Sequence, residues 1–327
     1  MKGNRIIGTG TGVPSRIVTN DDLAKIVDTS DEWIVSRTGI RERRIAEENE
    51  TTSDFSAWAA IKAMEMAGVD AEEIDLIIVA TLSPDRLLPA TACIVQGKIG
   101  ATNAACFDLE AACSGFVYGL TVANGLMPEL GVKTALVIGA ETLSRVLDWT
   151  DRNTCVLFAD GGGAAVLRHE GGDRGILATY MRSDGSAPPP WLAVTPGVAD
   201  LSPLGDKVSK DFAITMEGKE VFKFGVRALP DAVMGALART DGLTIDDVDW
   251  IIPHQANLRI IDAAAKALDI PREKFIVNLE KYGNTSAGTI PIALDEANRD
   301  GRIKEGDIVA LSGFGAGLTW GGVILRW

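Results

Sequence analysis

Continuous apolar runs alternate along the chain with segments in which apolar residues recur every three or four positions. The continuous runs lie at residues 76–80, 104–109, 135–139, 250–253 and 308–312, and they predict strands covered on both faces. The segments with helical spacing lie at residues 52–67, 90–99, 220–240 and 258–268. Strands of this kind alternating with helices predict a layered α/β protein with mixed sheets.

The strand pattern occurs twice in the same order. Residues 73–81 and 247–255 both begin with acidic residues and continue into an apolar run, and a second predicted strand follows roughly 30 positions later, at residues 105–109 and 275–279. A third pair lies at residues 135–139 and 308–312, and a glycine-rich fourth at residues 160–167 and 315–325. This order indicates two fused halves, which we place at residues 1–172 and 173–327.

Two regions lack either pattern. Residues 28–44 carry a tryptophan among arginines, and residues 182–210 contain Pro188 to Pro190, Trp191 and many turn formers. We expect both to be loops or excursions over the sheet core. A long loop of this kind is often a lid or an interface.

Composition narrows the class of protein. The chain has 327 residues, of which 46% are hydrophobic, and a formal charge of -13, which disfavours a nucleic-acid binder. The N-terminal residues lack the apolar stretch of a signal peptide, and no apolar run reaches the ~18 residues of a membrane span, so we expect a cytoplasmic protein without membrane contact. Four cysteines without a CxxC motif predict free thiols and no metal site.

Cys113 has the setting of a reactive thiol. It lies in a corner of small residues between the strand at residues 104–109 and a predicted helix that carries Phe116, Leu120 and Ala123 on one face. The dipole and free N–H groups of a helix N-terminus stabilise a thiolate, so we expect a nucleophile of lowered pKa. A buried structural cysteine is the alternative.

The second half offers His254 and Asn284 at matching strand ends. The other histidine, His169, lies among charged residues and is predicted to be a solvated turn residue. Active sites of layered α/β folds gather at the carboxyl ends of strands, so both side chains can meet Cys113 at the junction of the halves. Two uncharged N–H donors aimed at one thioester oxygen would stabilise an enolate. A structural histidine and a helix-capping asparagine are the alternatives.

Five motifs together resemble one family. They are AACSGF around Cys113, PHQAN around His254, YGNTSAG around Asn284, GFGAGLTWG at residues 313–321 and DEWIVSRTGIRERR at residues 31–44. As a set they resemble β-ketoacyl-acyl-carrier-protein synthase III, a condensing enzyme of the duplicated thiolase-like α-β-α-β-α fold, from the first strand to Trp327. The resemblance implies a decarboxylative Claisen condensation of an acyl-CoA primer with malonyl-acyl carrier protein through an acyl-cysteine, which initiates fatty acid synthesis. It also implies a homodimer, with acyl-CoA as a substrate and no cofactor.

The resemblance assigns the chemistry to five residues. Cys113 would be the nucleophile, and His254 and Asn284 would hold the malonyl thioester oxygen. The backbone N–H groups of Cys113 and Ala316 would form the oxyanion hole, although many relatives have glycine at the position of Ala316. Leu88, where relatives often have phenylalanine, would close the acyl pocket from the partner subunit, which predicts tolerance of branched or longer primers.

The resemblance also assigns two binding surfaces. For CoA, Trp33 and Arg152 would sandwich the adenine, Arg37 would contact phosphate, and Thr29 and Asn257 would lie along the pantetheine. A basic patch for the acidic carrier protein would consist of Lys223, Arg259 and Lys266.

Other members of the same fold remain to be weighed. Elongating synthases use Cys-His-His and thiolases Cys-His-Cys, so Asn284 disfavours both, whereas plant-type polyketide synthases share Cys-His-Asn. Relatives of secondary metabolism that form esters or quinolones with another acyl acceptor stay open. A non-catalytic acyl-carrier-binding subunit is the alternative from a different class.

Overall fold

The computed structural model describes residues 3–186, 191–195 and 212–327, so most of the proline-rich segment at 182–210 lies outside the described residues. The helices are α1 (Asn20–Leu23), α2 (Asp31–Thr38), α3 (Thr52–Ala67), α4 (Thr91–Ile99), α5 (Gly115–Leu130), α6 (Gly218–Leu237), α7 (Leu258–Leu268), α8 (Leu279–Tyr282) and α9 (Thr289–Arg299). The strands are β1 (Asn4–Gly12), β2 (Ile17–Thr19), β3 (Glu42–Arg44), β4 (Leu76–Ala80), β5 (Ala105–Leu109), β6 (Thr134–Thr142), β7 (Asp160–His169), β8 (Gly175–Ser183), β9 (Leu192–Thr195), β10 (Ala213–Met216), β11 (Trp250–Pro253), β12 (Ile308–Gly315) and β13 (Thr319–Arg326). None of the helices in these ranges has the length and apolar character that a membrane crossing requires.

Two large sheets repeat one topology. The first has the order β1-β7-β6-β4-β5, with β4 parallel to β5 and β6, and β7 antiparallel to β6 and β1. The second has the order β11-β12-β13-β8, with β11 parallel to β12, and β13 antiparallel to β12 and β8. The pairs β4 and β11, β6 and β12, and β7 and β13 therefore occupy matching places, which is the duplication that the sequence predicts.

The alternation of side chains along β4 shows how helices cover both sheet faces. Ile77 and Val79 pack with α3 and α4 in one apolar cluster, whereas Leu76 and Ile78 pack with α5 in another. The second of these clusters also contains α9 and the inner faces of β11 to β13, so α5 and α9 lie between the sheets. Helices α6 and α7 cover the outer face of the second sheet. The result is the predicted five-layered α-β-α-β-α arrangement.

The strand predicted at residues 275–279 is wrong. Only a single parallel bridge joins Phe275 to Ile251, and α8 begins at Leu279. The backbone N–H of Asn278 donates to the Gln255 side chain (3.1 Å), so this segment turns away from the sheet after one contact.

The loop predicted at residues 28–44 is also wrong. Helix α2 begins where the Ser30 hydroxyl accepts the Trp33 N–H (3.1 Å) and ends at Gly39, which has a φ of 83°. Strand β3 then pairs with β2. Serine before the helix and glycine after it are the signals that the sequence contains.

Three glycines on one face of β1 bring the first strand close to α3. A Cβ at Gly8, Gly10 or Gly12 would lie 2.1 to 2.2 Å from the carbonyl oxygens of α3 residues. No side chain fits at these distances, so the helix packs directly on the strand backbone.

Candidate active site

Cys113 lies in a 3₁₀ turn, residues Ala112–Ser114, between the end of β5 and the start of α5. Ala112 has a φ of 44°, an uncommon conformation for a residue with a Cβ, and its N–H donates to Glu110 Oε1 (2.9 Å). The Ser114 hydroxyl lies 2.7 Å from the Ala111 carbonyl and 2.8 Å from Thr319 Oγ1. These contacts tie the turn to β13 and hold the thiol at the predicted helix start.

The thiol is fully buried, and its acidity differs from the sequence prediction. Burial raises the pKa of Cys113 to about 12, while the nearby Ser286 hydroxyl lowers it. Desolvation disfavours the charged thiolate, and in this turn it outweighs the partial charge of the helix end. The prediction of a lowered thiol pKa is therefore wrong, and the proton must leave the sulfur as it reacts.

His254 follows β11 directly and is buried. Its backbone N–H donates to the Ser312 carbonyl (2.7 Å), and its ring packs edge to face on Phe314. Ring atom Nδ1 lies 2.7 Å from Thr289 Oγ1, so Nε2 is the free ring nitrogen. Burial lowers the pKa of His254 to about 3, which keeps the imidazole neutral.

Asn284 presents its amide nitrogen to the same space. Its Oδ1 accepts the Ser286 N–H (2.8 Å), as in an Asx turn, and its backbone bonds on both sides to the segment at residues 157–159. Because the carboxamide oxygen is already occupied, the free Nδ2 group is a donor. The asparagine thus forms a turn and keeps a donor for a ligand.

The three side chains line one cavity of about 660 Å³. A second cavity of about 110 Å³ shares Cys113 and is otherwise mainly apolar, lined by residues that include Leu82, Leu143, Phe158 and Ile214. The sulfur therefore lies between a wide channel and a small apolar pocket. This arrangement accommodates a thioester whose carrier arrives through the channel and whose acyl chain enters the pocket.

Ala316 lies in the turn that faces Cys113 and lines the small pocket. Among the described residues, the non-glycine residues with positive φ are Ala112, Asp269 and Ser286, so Ala316 adopts an ordinary backbone conformation. Its carbonyl accepts the Thr319 hydroxyl (2.9 Å), which also contacts the Ala111 carbonyl (3.1 Å). Alanine in place of glycine at position 316 therefore strains nothing in this turn.

At Gly315, the turn that contains Ala316 lies against the backbone of Cys113. A Cβ there would lie 2.6 Å from the Cys113 backbone nitrogen and 3.0 Å from Ala112 Cβ. We expect Gly315→Ala to shift the turn and to slow acylation of Cys113 about 100-fold, because displacement of an oxyanion-hole donor costs ~10²–10³ in rate. Single-turnover acylation, followed by intact-protein mass spectrometry, measures this.

Gly97→Ala is the matched control for Gly315→Ala. Gly97 lies on the exposed face of α4, and a Cβ there meets nothing within 4 Å. This variant should acylate at the wild-type rate, since alanine is favoured over glycine in a helix. Equal rates for the two variants would contradict the predicted close approach.

The predicted CoA residues do not all line the large cavity. Trp33, Arg37 and Asn257 line it, whereas Thr29 and Arg152 do not. The Arg152 guanidinium nevertheless lies over the Trp33 ring at 5.2 Å and donates to the Asp28 carbonyl (2.9 Å).

Arg37 and Asn257 are also joined to each other. The Arg37 guanidinium also lies over the Trp33 ring, 4.7 Å from the ring centre. The side chain of Asn257 caps α7 by accepting the Arg259 N–H (2.9 Å), and it donates to the Arg37 carbonyl (2.9 Å). Asn257 therefore has a structural role in addition to any ligand contact.

The predicted docking residues are all exposed. Lys223 pairs with Glu220 (2.7 Å), Arg259 lies over the Phe222 ring (5.3 Å) and lines the large cavity, and Lys266 lies in the last turn of α7. Leu88 is 83% exposed and lines neither cavity, so its predicted role requires a second subunit.

Sequence reasoning missed three polar residues around the reactive group. Ser286 and Thr289 follow Asn284 within and just after the YGNTSAG motif, and Glu141 is the second-last residue of the apolar strand β6. A carboxylate at the end of an otherwise apolar strand is the one signal that the sequence contained. Within the described residues, no group of three or more potential metal ligands occurs.

Comparisons with known proteins agree over the whole chain. A family model described as 3-Oxoacyl-[acyl-carrier-protein (ACP)] synthase III matches residues 107–185, and the model of its C-terminal region matches residues 238–327. A protein of Xanthomonas campestris pv. campestris (strain ATCC 33913) named Beta-ketoacyl-[acyl-carrier-protein] synthase III is 51% identical over 99% of this chain and 98% of its own length. A protein of the same name from Clostridium acetobutylicum is 52% identical over 100% of this chain and 99% of its own. The crystal structure of 3-oxoacyl-[acyl-carrier-protein] synthase III from Aquifex aeolicus VF5 superimposes with a TM-score of 0.92 at 46% identity, covering 99% of this chain and 100% of the other.

Proposed function

The chain belongs to the β-ketoacyl-acyl-carrier-protein synthase III family, and we propose that Cys113, His254 and Asn284 carry out the condensation of that family in two half-reactions. The protein is an acyltransferase that joins an acyl-CoA primer to malonyl-acyl carrier protein and so initiates fatty acid synthesis. The observation that supports the assignment of residues is the single cavity that all three line, with the sulfur also facing the apolar pocket.

In the first half-reaction, the Cys113 sulfur attacks the thioester carbonyl of the primer. The negative charge on that oxygen would be held by the backbone N–H groups of Cys113 and Ala316, whose turns face each other across Gly315. CoA leaves through the wide channel, and the acyl chain remains in the small pocket as a thioester of Cys113.

In the second half-reaction, malonyl thioester enters the channel and loses CO₂. The enolate oxygen would be held by Asn284 Nδ2 and by the Nε2–H of neutral His254, and the enolate carbon then attacks the acyl-cysteine. This tautomer requires the Thr289 hydroxyl to turn from the Ser286 carbonyl and donate to Nδ1. A neutral imidazole suits this role, because a charged one would donate its proton to the enolate and end the reaction. The low pKa of His254 supports this assignment.

The small pocket limits the primer. Its volume of about 110 Å³ is about a sixth of the 660 Å³ of the wide channel. We propose that acetyl and branched acyl groups of about four or five carbons enter this pocket more readily than an octanoyl group. The small pocket is therefore consistent with the predicted use of branched primers. It argues against the predicted use of long primers.

Intact-protein mass spectrometry with acetyl-, isobutyryl- and octanoyl-CoA tests the function. We expect Cys113 to gain one acetyl or isobutyryl group and little octanoyl, and malonyl-acyl carrier protein should then remove the acyl group with release of CO₂. Acylation without transfer to the malonyl carrier would point to an ester- or quinolone-forming acyltransferase, which the full-length similarity to synthase III proteins does not favour. No acylation by any primer would contradict both functions.

For CoA binding, we propose that the adenine inserts between Trp33 and Arg152. The two groups already stack, and their ring-to-guanidinium distance of 5.2 Å must widen to admit a base. Arg37 lies beside them at the mouth of the channel, where it can contact a phosphate, and Thr29 and Asn257 would follow along the pantetheine.

For the carrier protein, we propose a docking patch of Lys223, Arg259 and Lys266 beside the channel. We expect Lys266→Glu to raise the KM for malonyl-acyl carrier protein about five- to tenfold at low salt and to leave acylation by acyl-CoA unchanged, because a reversed rim charge weakens encounter with an acidic partner. The difference should shrink in 0.5 M salt.

Lys133→Glu is the control for the docking patch. Lys133 is an exposed lysine just before β6, at the opposite end of that strand from its active-site end. The same charge reversal there should leave the KM unchanged. An equal rise in both variants would indicate a general effect of net charge and no local patch.

We propose further that the protein is a cytoplasmic homodimer. Strand β5 is the outermost strand of the first sheet and is only partly buried, so its outer edge is available for pairing with a second copy. The exposed Leu87 and Leu88 lie in the segment just before α4, the helix that packs against β5. A partner subunit would cover these apolar side chains and could bring Leu88 to the acyl pocket.

A further inference from the structure

Glu141 is a buried carboxyl near the reactive thiol, and it has no role in the two half-reactions. Glu141, the second-last residue of β6, has no exposed surface. Its carboxyl accepts hydrogen bonds from the Thr81 hydroxyl (2.9 Å), the Ser83 hydroxyl (2.5 Å) and the Ser83 N–H (3.0 Å), and it also accepts the N–H of Leu82 (3.1 Å). None of these partners is a cation, so no countercharge favours the ionised form. Burial accordingly raises the pKa of Glu141 to about 7, although the donors oppose the rise.

Ser286 lies in the 3₁₀ turn Ser286–Gly288, which packs against both the turn of Cys113 and strand β6. It lines the small pocket together with Cys113. Ser286 is fully buried, and its φ of 48° holds it in an uncommon conformation. Its Oγ makes no hydrogen bond of ordinary geometry, yet it is close enough to both Cys113 and Glu141 to lower the pKa of each group. Because this buried hydroxyl has no other hydrogen-bond partner among the described residues, it is available to both groups.

The other ionisable groups near this pair are accounted for. Glu110 faces Cys113 from the end of β5 and accepts the Ala112 N–H. Asp160 of β7, the strand beside β6, turns its carboxyl to Ser144 and Ala46. His254 faces Cys113 across the channel, but burial lowers its pKa to about 3, so it is a poor proton acceptor. Glu141 is the group whose acidity suits the exchange of a proton near neutral pH.

Building on the proposed function, we propose that Glu141 stores the proton of Cys113 during the catalytic cycle, with the Ser286 hydroxyl as the relay. During acylation, the bond from sulfur to the acyl carbon forms and the S–H bond breaks. The sulfur proton passes to the Ser286 oxygen while the Ser286 proton passes to the Glu141 carboxylate. The leaving CoA thiolate takes a proton from water as it departs.

The stored proton returns in the second half-reaction. When the enolate carbon bonds to the acyl carbon, the bond to the Cys113 sulfur breaks and leaves a thiolate. Protonated Glu141 then gives its proton back through Ser286, which restores the thiol and the carboxylate. One proton from water is consumed in each cycle, and it enters with the departing CoA. The closed condensation site therefore needs no proton from solvent.

The test measures single-turnover acylation by acetyl-CoA as a function of pH in the full-length protein. In wild type, the rate should rise with pH and level off with a midpoint near 7, because ionised Glu141 is the acceptor.

Glu141→Gln should acylate about 100-fold more slowly, within the ~10²–10⁴ range of general-base effects, and should lose this inflection. Glu141→Asp should keep the inflection at a reduced rate. Ser286→Ala, which removes only the relay hydroxyl, should slow acylation at least tenfold. This variant tests the relay independently if Glu141→Gln does not fold.

Asp160→Asn is the matched control, since it also neutralises a fully buried carboxyl that accepts hydrogen bonds from a serine and from backbone N–H groups. It should acylate at the wild-type rate with the same midpoint, whatever its effect on thermal stability. Acylation of Glu141→Gln or Ser286→Ala within threefold of the control, with an unchanged midpoint, overturns the relay alone. A wild-type protein that no acyl-CoA acylates overturns the proposed function and the relay with it.

Discussion

Replacement of Cys113 with alanine is expected to abolish acyl-enzyme formation and to lower condensation at least ~10⁴-fold, because removal of a nucleophile leaves only binding and oxyanion stabilisation. Intact-protein mass spectrometry after incubation with acetyl-CoA should show the unmodified mass for this variant. The same variant should still release CO₂ from malonyl-acyl carrier protein, since His254 and Asn284 remain in the cavity. The two half-reactions can thus be observed separately.

Cys93→Ala is the control for the loss of the nucleophile. Cys93 is the exposed free thiol of α4, and it lines neither cavity at the active site. This variant should be acylated once, at the wild-type rate. Continued acylation of Cys113→Ala would instead place the acyl group on another residue and refute the assignment of Cys113.

Replacement of His254 or Asn284 with alanine is expected to slow decarboxylation of malonyl-acyl carrier protein ~10²–10³-fold in each case. Both side chains aim at the same developing oxyanion, so the double variant should lose less than the product of the two single losses. Acylation by acetyl-CoA should stay within a few-fold of wild type, because the backbone donors for that step are untouched. Release of CO₂ and gain of the acyl mass measure the two steps independently.

His169→Ala and Asn153→Ala are the corresponding controls. His169 ends β7 at the surface, and the exposed Asn153 lines the channel but bonds to Asp151 (2.9 Å). Both should decarboxylate at the wild-type rate. If His254→Ala and Asn284→Ala lost acylation and kept decarboxylation, the roles assigned to the two half-reactions would be reversed.

The sequence predicted the elements that depend on local signals. Helices α3 and α7 begin and end at the predicted residues, since Thr51 and Asn257 precede them and the apolar spacing is regular. The strand predicted at residues 275–279 does not form, and the reason is a tertiary contact. The side chain of Gln255, some twenty positions earlier, accepts the Asn278 N–H, which a neighbouring strand would otherwise accept. No pattern within that segment records this contact.

The sequence identified three candidate residues that line one cavity, but it did not predict their acidity. Cys113, His254 and Asn284 were recognisable from motifs and from matching strand ends. The pKa values of Cys113 and His254 depend on how completely water is excluded, which reversed the prediction for the thiol. Ser286 and Glu141 matter through their position beside Cys113, and neither lies near it in the sequence.

The glycines on one face of β1 have a consequence for how substitutions in this chain should be interpreted. Gly8, Gly10 and Gly12 admit no larger side chain because the carbonyl oxygens of α3 occupy the space. A saturation mutagenesis map would therefore show two groups of positions that tolerate no substitution. One is the active site, and the other is these glycines, where β1 packs against the outer helix α3. Variants at these glycines would be lost from the soluble fraction, whereas variants at Cys113 would remain soluble and inactive. Intolerance to substitution alone would not distinguish the contact between β1 and α3 from the active site.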